Sequence, residues 1–91
     1  MSDIRVEHKL GLDGAVARFQ ELARQHGLKL QSSDGGHSGT LEKKLPFVGV
    51  ARGRFHVTDT AVEIAIDSAP SFPGPETIRR MVSEELAKAL A

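Results

Sequence analysis

The chain is expected to fold as an α+β domain of order β-α-β-β-β-β-α, with an antiparallel four- to five-stranded sheet and two helices packed on one of its faces. Three observations carry that expectation. Apolar and polar residues alternate at Ile4-Arg5-Val6-Glu7 and again from Ala61 to Asp67, the period of strands with one face on a core. Two other stretches space their apolar residues three and four apart, as helices buried along one side do. Asp34-Gly35-Gly36 and Thr58-Asp59-Thr60 are turn signals, so the middle of the chain reads as an antiparallel meander.

Taken in order, Ile4, Val6 and His8 oppose Arg5, Glu7 and Lys9 in a first strand. The stripe Leu12, Ala15, Val16, Phe19, Leu22 and Ala23 predicts the first helix, with Asp13 placed to cap or charge-complement its first turn. Gly27 supplies the stop, and Leu28 is positioned to fold back on the last turn. Lys29 to Ser33 reads as a short strand and Thr40 to Lys44 as its return. Leu45-Pro46-Phe47-Val48-Gly49 bends the chain into a strand from Val50 to Val57, with Phe55 and Val57 on one side and Arg54 and His56 on the other. Val62, Ile64 and Ile66 continue the buried face, while Glu63 and Asp67 face water. Residues 69–74 form the least regular segment. Pro75 suits the first turn of the last helix, where N–H groups lack intrahelical partners. Ile78, Met81, Val82, Leu86 and Leu90 form that helix's stripe, and Arg80–Glu84 and Glu84–Lys88 sit four apart on its wet face. Phe19, Phe55, Ile64, Met81 and Leu86 are large enough together to fill a two-layer core.

Composition narrows the functional classes. The 91 residues make one domain, 1–91, and 40% hydrophobic content, 26% charged content and zero net charge give no long-range pull on nucleic acid or anionic lipid. With no cysteine, disulfides, thiolate nucleophiles and cysteine-based metal sites are excluded. Trp and Tyr are absent and Phe occurs four times, which argues against base-stacking platforms and aromatic interface anchors. Charges at Asp3, Arg5 and Glu7 fall where a signal peptide needs an apolar run, and no stretch has the length of a membrane span. A cytoplasmic protein is expected.

His8, His26, His37 and His56 are the residues most suited to acid–base or metal work near neutral pH. None is paired at metal-ligand spacing. His8 and His56 become neighbours only if the first strand lies beside the 50–57 strand; otherwise they read as surface histidines. His26 fits as a complement to the first helix's C-terminus. Lys43, Lys44, Arg52 and Arg54 form the strongest charge cluster, a candidate anion contact that motivates RNA binding as a lesser reading. A solvated face neutralised by Glu42 and Glu63 explains the same residues. Gly35-Gly36 and Gly49 precede no helix in a phosphate-binding unit, the serines lack a nucleophile elbow, and no carboxylate pair is spaced for a shared site. No catalytic, cofactor-binding or metal residue is therefore assigned, and the chain reads as non-enzymatic. Leu45, Phe47, Val48 and Phe72 are apolar residues in turns. They serve either as core plugs or as an exposed apolar lip that marks a contact site.

Several of these segments together resemble a known family. Ile4-Arg5-Val6 with His8 and Leu10-Gly11-Leu12, the Ala15-containing helix ending in Gly27-Leu28, Val48-Gly49 with Gly53, Phe55 and Val57, then Val62, Ile64 and Ile66 and the closing helix are similar to the polyhydroxyalkanoic acid system protein family. The resemblance covers nearly the whole chain. It implies a bacterial cytoplasmic protein associated with storage-polyester granules, whose partner is the granule surface or another granule-system protein, and it implies no active site. This chain departs from the family pattern at Ser68 to Gly74, which is richer in proline and poorer in large apolar residues. The element order also resembles a miniature START-like lipid-binding fold, by architecture alone. An accessory or interaction protein without enzymatic activity is the first reading. A small acyl or hydrophobic-ligand binder is the alternative and requires a cavity between sheet and helices. Both a monomer and a homodimer through the open sheet face, where Lys43, Arg52, Arg54, His56 and Glu63 are expected, fit the pattern.

Overall fold

Alternation and helical spacing resolve into five strands and two helices in a computed structural model that describes residues 3–46, 49–70 and 74–91. They are β1 (Ile4–Glu7), α1 (Gly11–His26), β2 (Lys29–Ser33), β3 (Ser38–Leu45), β4 (Gly49–Val57), β5 (Ala61–Ser68) and α2 (Pro75–Leu90). The strands form one antiparallel sheet in the order β1-β5-β4-β3-β2. Strands β2 to β5 are a simple meander, and β1 closes on β5. Because β1 and β2 lie at opposite edges, α1 carries the chain across the sheet.

Local chemistry sets the boundaries. Helix α1 ends at Gly27, whose φ of 68° is the left-handed conformation that glycine takes without steric cost. The Leu28 N–H donates to the Ala23 carbonyl at 2.8 Å and the Gly27 N–H to that of Arg24 at 3.5 Å, so orphan carbonyls of the last turn are satisfied. At the other end Asp13 makes no capping hydrogen bond and contributes only charge to the first turn. Between β4 and β5, Thr58 Oγ1 accepts the Ala61 N–H at 3.0 Å, which fixes the turn by a local side-chain bond.

Both helices cover one face of the sheet. Ile4, Ala15, Phe19, Leu22, Phe55, Val57, Val62, Ile64, Leu86 and Leu90 form the core, with the Phe19 and Phe55 ring centroids 4.9 Å apart and tilted by 49°. Each residue comes from an inward strand position or a helix stripe, as its period dictates. The core is not filled as the residue sizes suggest. Met81 is 55% exposed, whereas Leu86 on the same stripe is fully buried.

The bend after β3 also differs from expectation. Strands β3 and β4 extend to Leu45 and Gly49, and Phe47, Val48 and Phe72 of the expected apolar contact lie outside the described residues. Among the described residues, no helix is long and apolar enough to cross a membrane.

Candidate functional site

The inner positions of the central strand β4 run Ala51, Gly53, Phe55, Val57, small at one end and large at the other. That taper shapes the space beneath the helices. Under the large end the core is dense. Over the small end lies a cleft of about 100 Å³ lined by residues of α1, α2 and the sheet, among them Leu22, Ala51, Ile66, Ile78, Met81 and Val82. Its exposed walls are apolar throughout.

Helix length contributes to the same hollow. His26 Nε2 at the end of α1 is 3.4 Å from Glu85 Oε2, and Arg18 Nη1 donates to the Ala89 carbonyl at 3.1 Å. The helices therefore run antiparallel and meet through the second half of α2. The first half of α2 continues past the point where Gly27 stops α1. Its position over the sheet is anchored at the margin, where Arg79 Nη2 is 3.9 Å from Asp3 Oδ1 and Asp3 Oδ2 accepts the Ile66 N–H at 2.7 Å. Ile78 and Val82 are half-buried, and Met81 stands at the lip. Leu45, placed by sequence among the apolar contacts, is half-buried and lines the same cleft.

The basic cluster is brought together only in part. Cross-strand partners are Glu42 with Arg52, Lys43 with Ala51 and Lys44 with Val50, so Lys43 faces inward while Lys44, Arg52 and Arg54 share the outer face. Assigning Lys43 to the open face is thus corrected by strand parity, since neighbouring residues on a strand point to opposite sides. On the outer face Arg52 Nε lies 3.1 Å from Glu42 Oε2. Arg54 donates to both oxygens of Asp67, from Nε at 3.0 and 3.1 Å and from Nη2 at 2.9 Å. These hydrogen bonds, then the Coulombic attraction of Asp67, raise the Arg54 pKa further. Two of the three outer cations thereby have a carboxylate already in place, which leaves an incoming phosphate little to neutralise.

The histidines do not converge. His56 is exposed on the outer face across from Glu63. His8, on the inner side just after β1, is only 8% exposed, not a surface residue. Its Nδ1 accepts the Leu10 N–H at 3.1 Å and its Nε2 faces the Thr58 carbonyl at 3.0 Å. Both contacts are satisfied when the ring is neutral with its proton on Nε2. His8 therefore ties the start of α1 to the β4–β5 turn, with both nitrogens occupied. Among the described residues no three His, Asp or Glu side chains are grouped to hold a metal ion.

No family model, curated protein or solved structure matches this chain. The cleft rests on geometry alone. Its sequence signal was the small Ala51 at an inward position of a strand that ends in Phe55 and Val57, a contrast that alternation by itself does not weigh.

Proposed function

We propose that this chain is a non-enzymatic binding protein that takes an aliphatic or acyl chain into the cleft between the first half of α2 and the sheet. The observation that carries the proposal is a wholly apolar hollow under a helix whose own apolar stripe is left half-covered there. An apolar chain entering it gains contacts and sheds water, and no polar wall group has to be desolvated without a partner. The volume of about 100 Å³ is below that of a cavity of roughly 150 Å³ that admits benzene. It therefore suits a short aliphatic segment and excludes a fully enclosed drug-sized ligand. The engaged ring nitrogens of His8 and the apolar lining support binding without turnover.

The likeness to the polyhydroxyalkanoic acid system proteins supports storage polyester, or an acyl precursor of it, as the source of that chain. It also supports a granule, or a protein of the granule system, as the setting. Calorimetric titration with hexanol tests the site: saturable heat is expected, with a negative heat-capacity change from apolar burial. Ala51→Leu, which fills the floor of the cleft, is expected to abolish the signal while the protein remains folded. Absence of heat from the unaltered protein, or binding untouched by Ala51→Leu, refutes the assignment. Sedimentation with granules from cells grown on excess carbon tests the setting separately.

A further inference from the structure

Lys43 and Arg52 line the cleft only through apolar atoms, and among the described residues no acidic side chain lines it. Arg52 is already matched by Glu42 on the outer face. Lys43 is not matched. Its place on β3 turns it inward, across from Ala51 on the cleft floor, away from the carboxylates of the outer face. Its Nζ donates to the backbone carbonyl of His26, the last residue of α1. Among the described residues no carboxylate lies within ion-pair distance of it. That carbonyl, at the negative end of the α1 dipole, uses one of the ammonium's three donors and leaves two for a ligand. Apolar walls on one side reduce the solvent that screens the ammonium's charge.

We propose that the natural occupant of the cleft is a free short-chain carboxylate. Its chain lies among Ile66, Ile78 and Val82, and its carboxylate accepts a hydrogen bond from Lys43 Nζ. This proposal rests on reading the cleft as an acyl site and adds the chemistry of the ligand's other end. An ester or thioester offers the same chain without the anion, so Lys43 favours the free acid, the hydrolysis product of such a polyester or acyl precursor, over both. The limited volume sets the chain's length, and the cation at the border sets its polarity.

The test compares hexanoate with hexanol by amide chemical-shift titration, using the unaltered protein, Lys43→Met, Lys43→Arg and Lys44→Met. Hexanoate is expected to bind about five-fold more tightly than hexanol, the upper range for a partly exposed ion pair. Added salt should weaken hexanoate alone. Lys43→Met should erase the preference by weakening hexanoate more than hexanol, and Lys43→Arg should retain it. Lys44→Met, altered on the opposite face, should also retain it. Equal affinities, or a Lys43→Met variant that weakens both ligands alike, overturn the carboxylate assignment and leave the acyl site standing; the second result would mean that Lys43 only braces the end of α1. Failure of both ligands to bind overturns the acyl site as well.

Discussion

Alanine substitution along the apolar stripe of α2 separates a sealed helix from one that roofs a cleft. Leu86 is fully buried between the helices and the sheet, so Leu86→Ala removes core contacts and leaves a cavity, a change that costs about 2–5 kcal/mol. At about 0.05–0.15 kcal/mol per residue, the whole chain should have a stability of roughly 5–14 kcal/mol. One kcal/mol corresponds to about 4–8 °C in a domain of this size. A loss of about 3 kcal/mol therefore lowers Tm by about 12–24 °C. Val82 is half-buried at the cleft wall, and Val82→Ala should cost about 1 kcal/mol, scaled from full burial of such a side chain. Met81 is 55% exposed, and Met81→Ala should stay within about 0.5 kcal/mol of the parent. Urea unfolding followed by far-ultraviolet circular dichroism measures all three, with unchanged m-values as the control for two-state behaviour. A Met81→Ala penalty equal to that of Leu86→Ala would mean that the first half of α2 is packed down on the sheet, and the cleft reasoning would fail.

Two further outcomes follow from particular contacts. A Cβ at Gly53 would sit 2.5 Å from the Ala65 carbonyl oxygen, a backbone atom beside the irregular register at Arg52/Gly53, so Gly53→Ala should cost about 1–3 kcal/mol by overpacking; a neutral effect in thermal unfolding would contradict that close approach. At the surface of α1, the hydrogen bond from Arg24 outweighs an opposing desolvation and, with Arg24's charge and a hydrogen bond from Gln25, holds the Glu21 carboxyl below the ordinary glutamate range. A group whose pKa is lower in the folded state stabilises fully above its unfolded value and loses that contribution as pH falls through the folded value. Glu21→Gln should accordingly be slightly less stable than the parent near neutral pH, with the gap closing in the acidic range; a gap that widens on acidification, in melting curves across pH, would reverse the sign.

Periodicity made most of the fold legible. Alternation at residues 4–7 and 61–67, the stripe from Leu12 to Ala23 and the Gly27 stop each rest on local chemistry, and each appears in the structure close to where the residues place it. The site was less legible because it depends on what is missing from a position. A stripe such as Ile78, Met81, Val82, Leu86 and Leu90 looks uniform in sequence, yet its burial is decided by where a different helix ends and by how small the facing strand residues are. Lys43 shows the same limit. Adjacent lysines read as one patch until pairing with β4 sets their parity and sends them to opposite faces. The tethering role of His8 has no sequence signal because both its partners are backbone groups, the Leu10 N–H and the Thr58 carbonyl fifty positions away, and backbone groups leave no trace in residue identity.

Methyl-resolved NMR of the protein titrated with hexanoate tests the central claim most directly, because it reports where the chain goes. Saturable shifts are expected at the methyls of Ile66, Ile78, Met81 and Val82, which line the cleft. Val57 and Leu90, in the dense part of the core, should scarcely move. Shifts confined to the outer face of the sheet, or none at all up to the solubility limit of the ligand, would contradict an acyl-binding cleft.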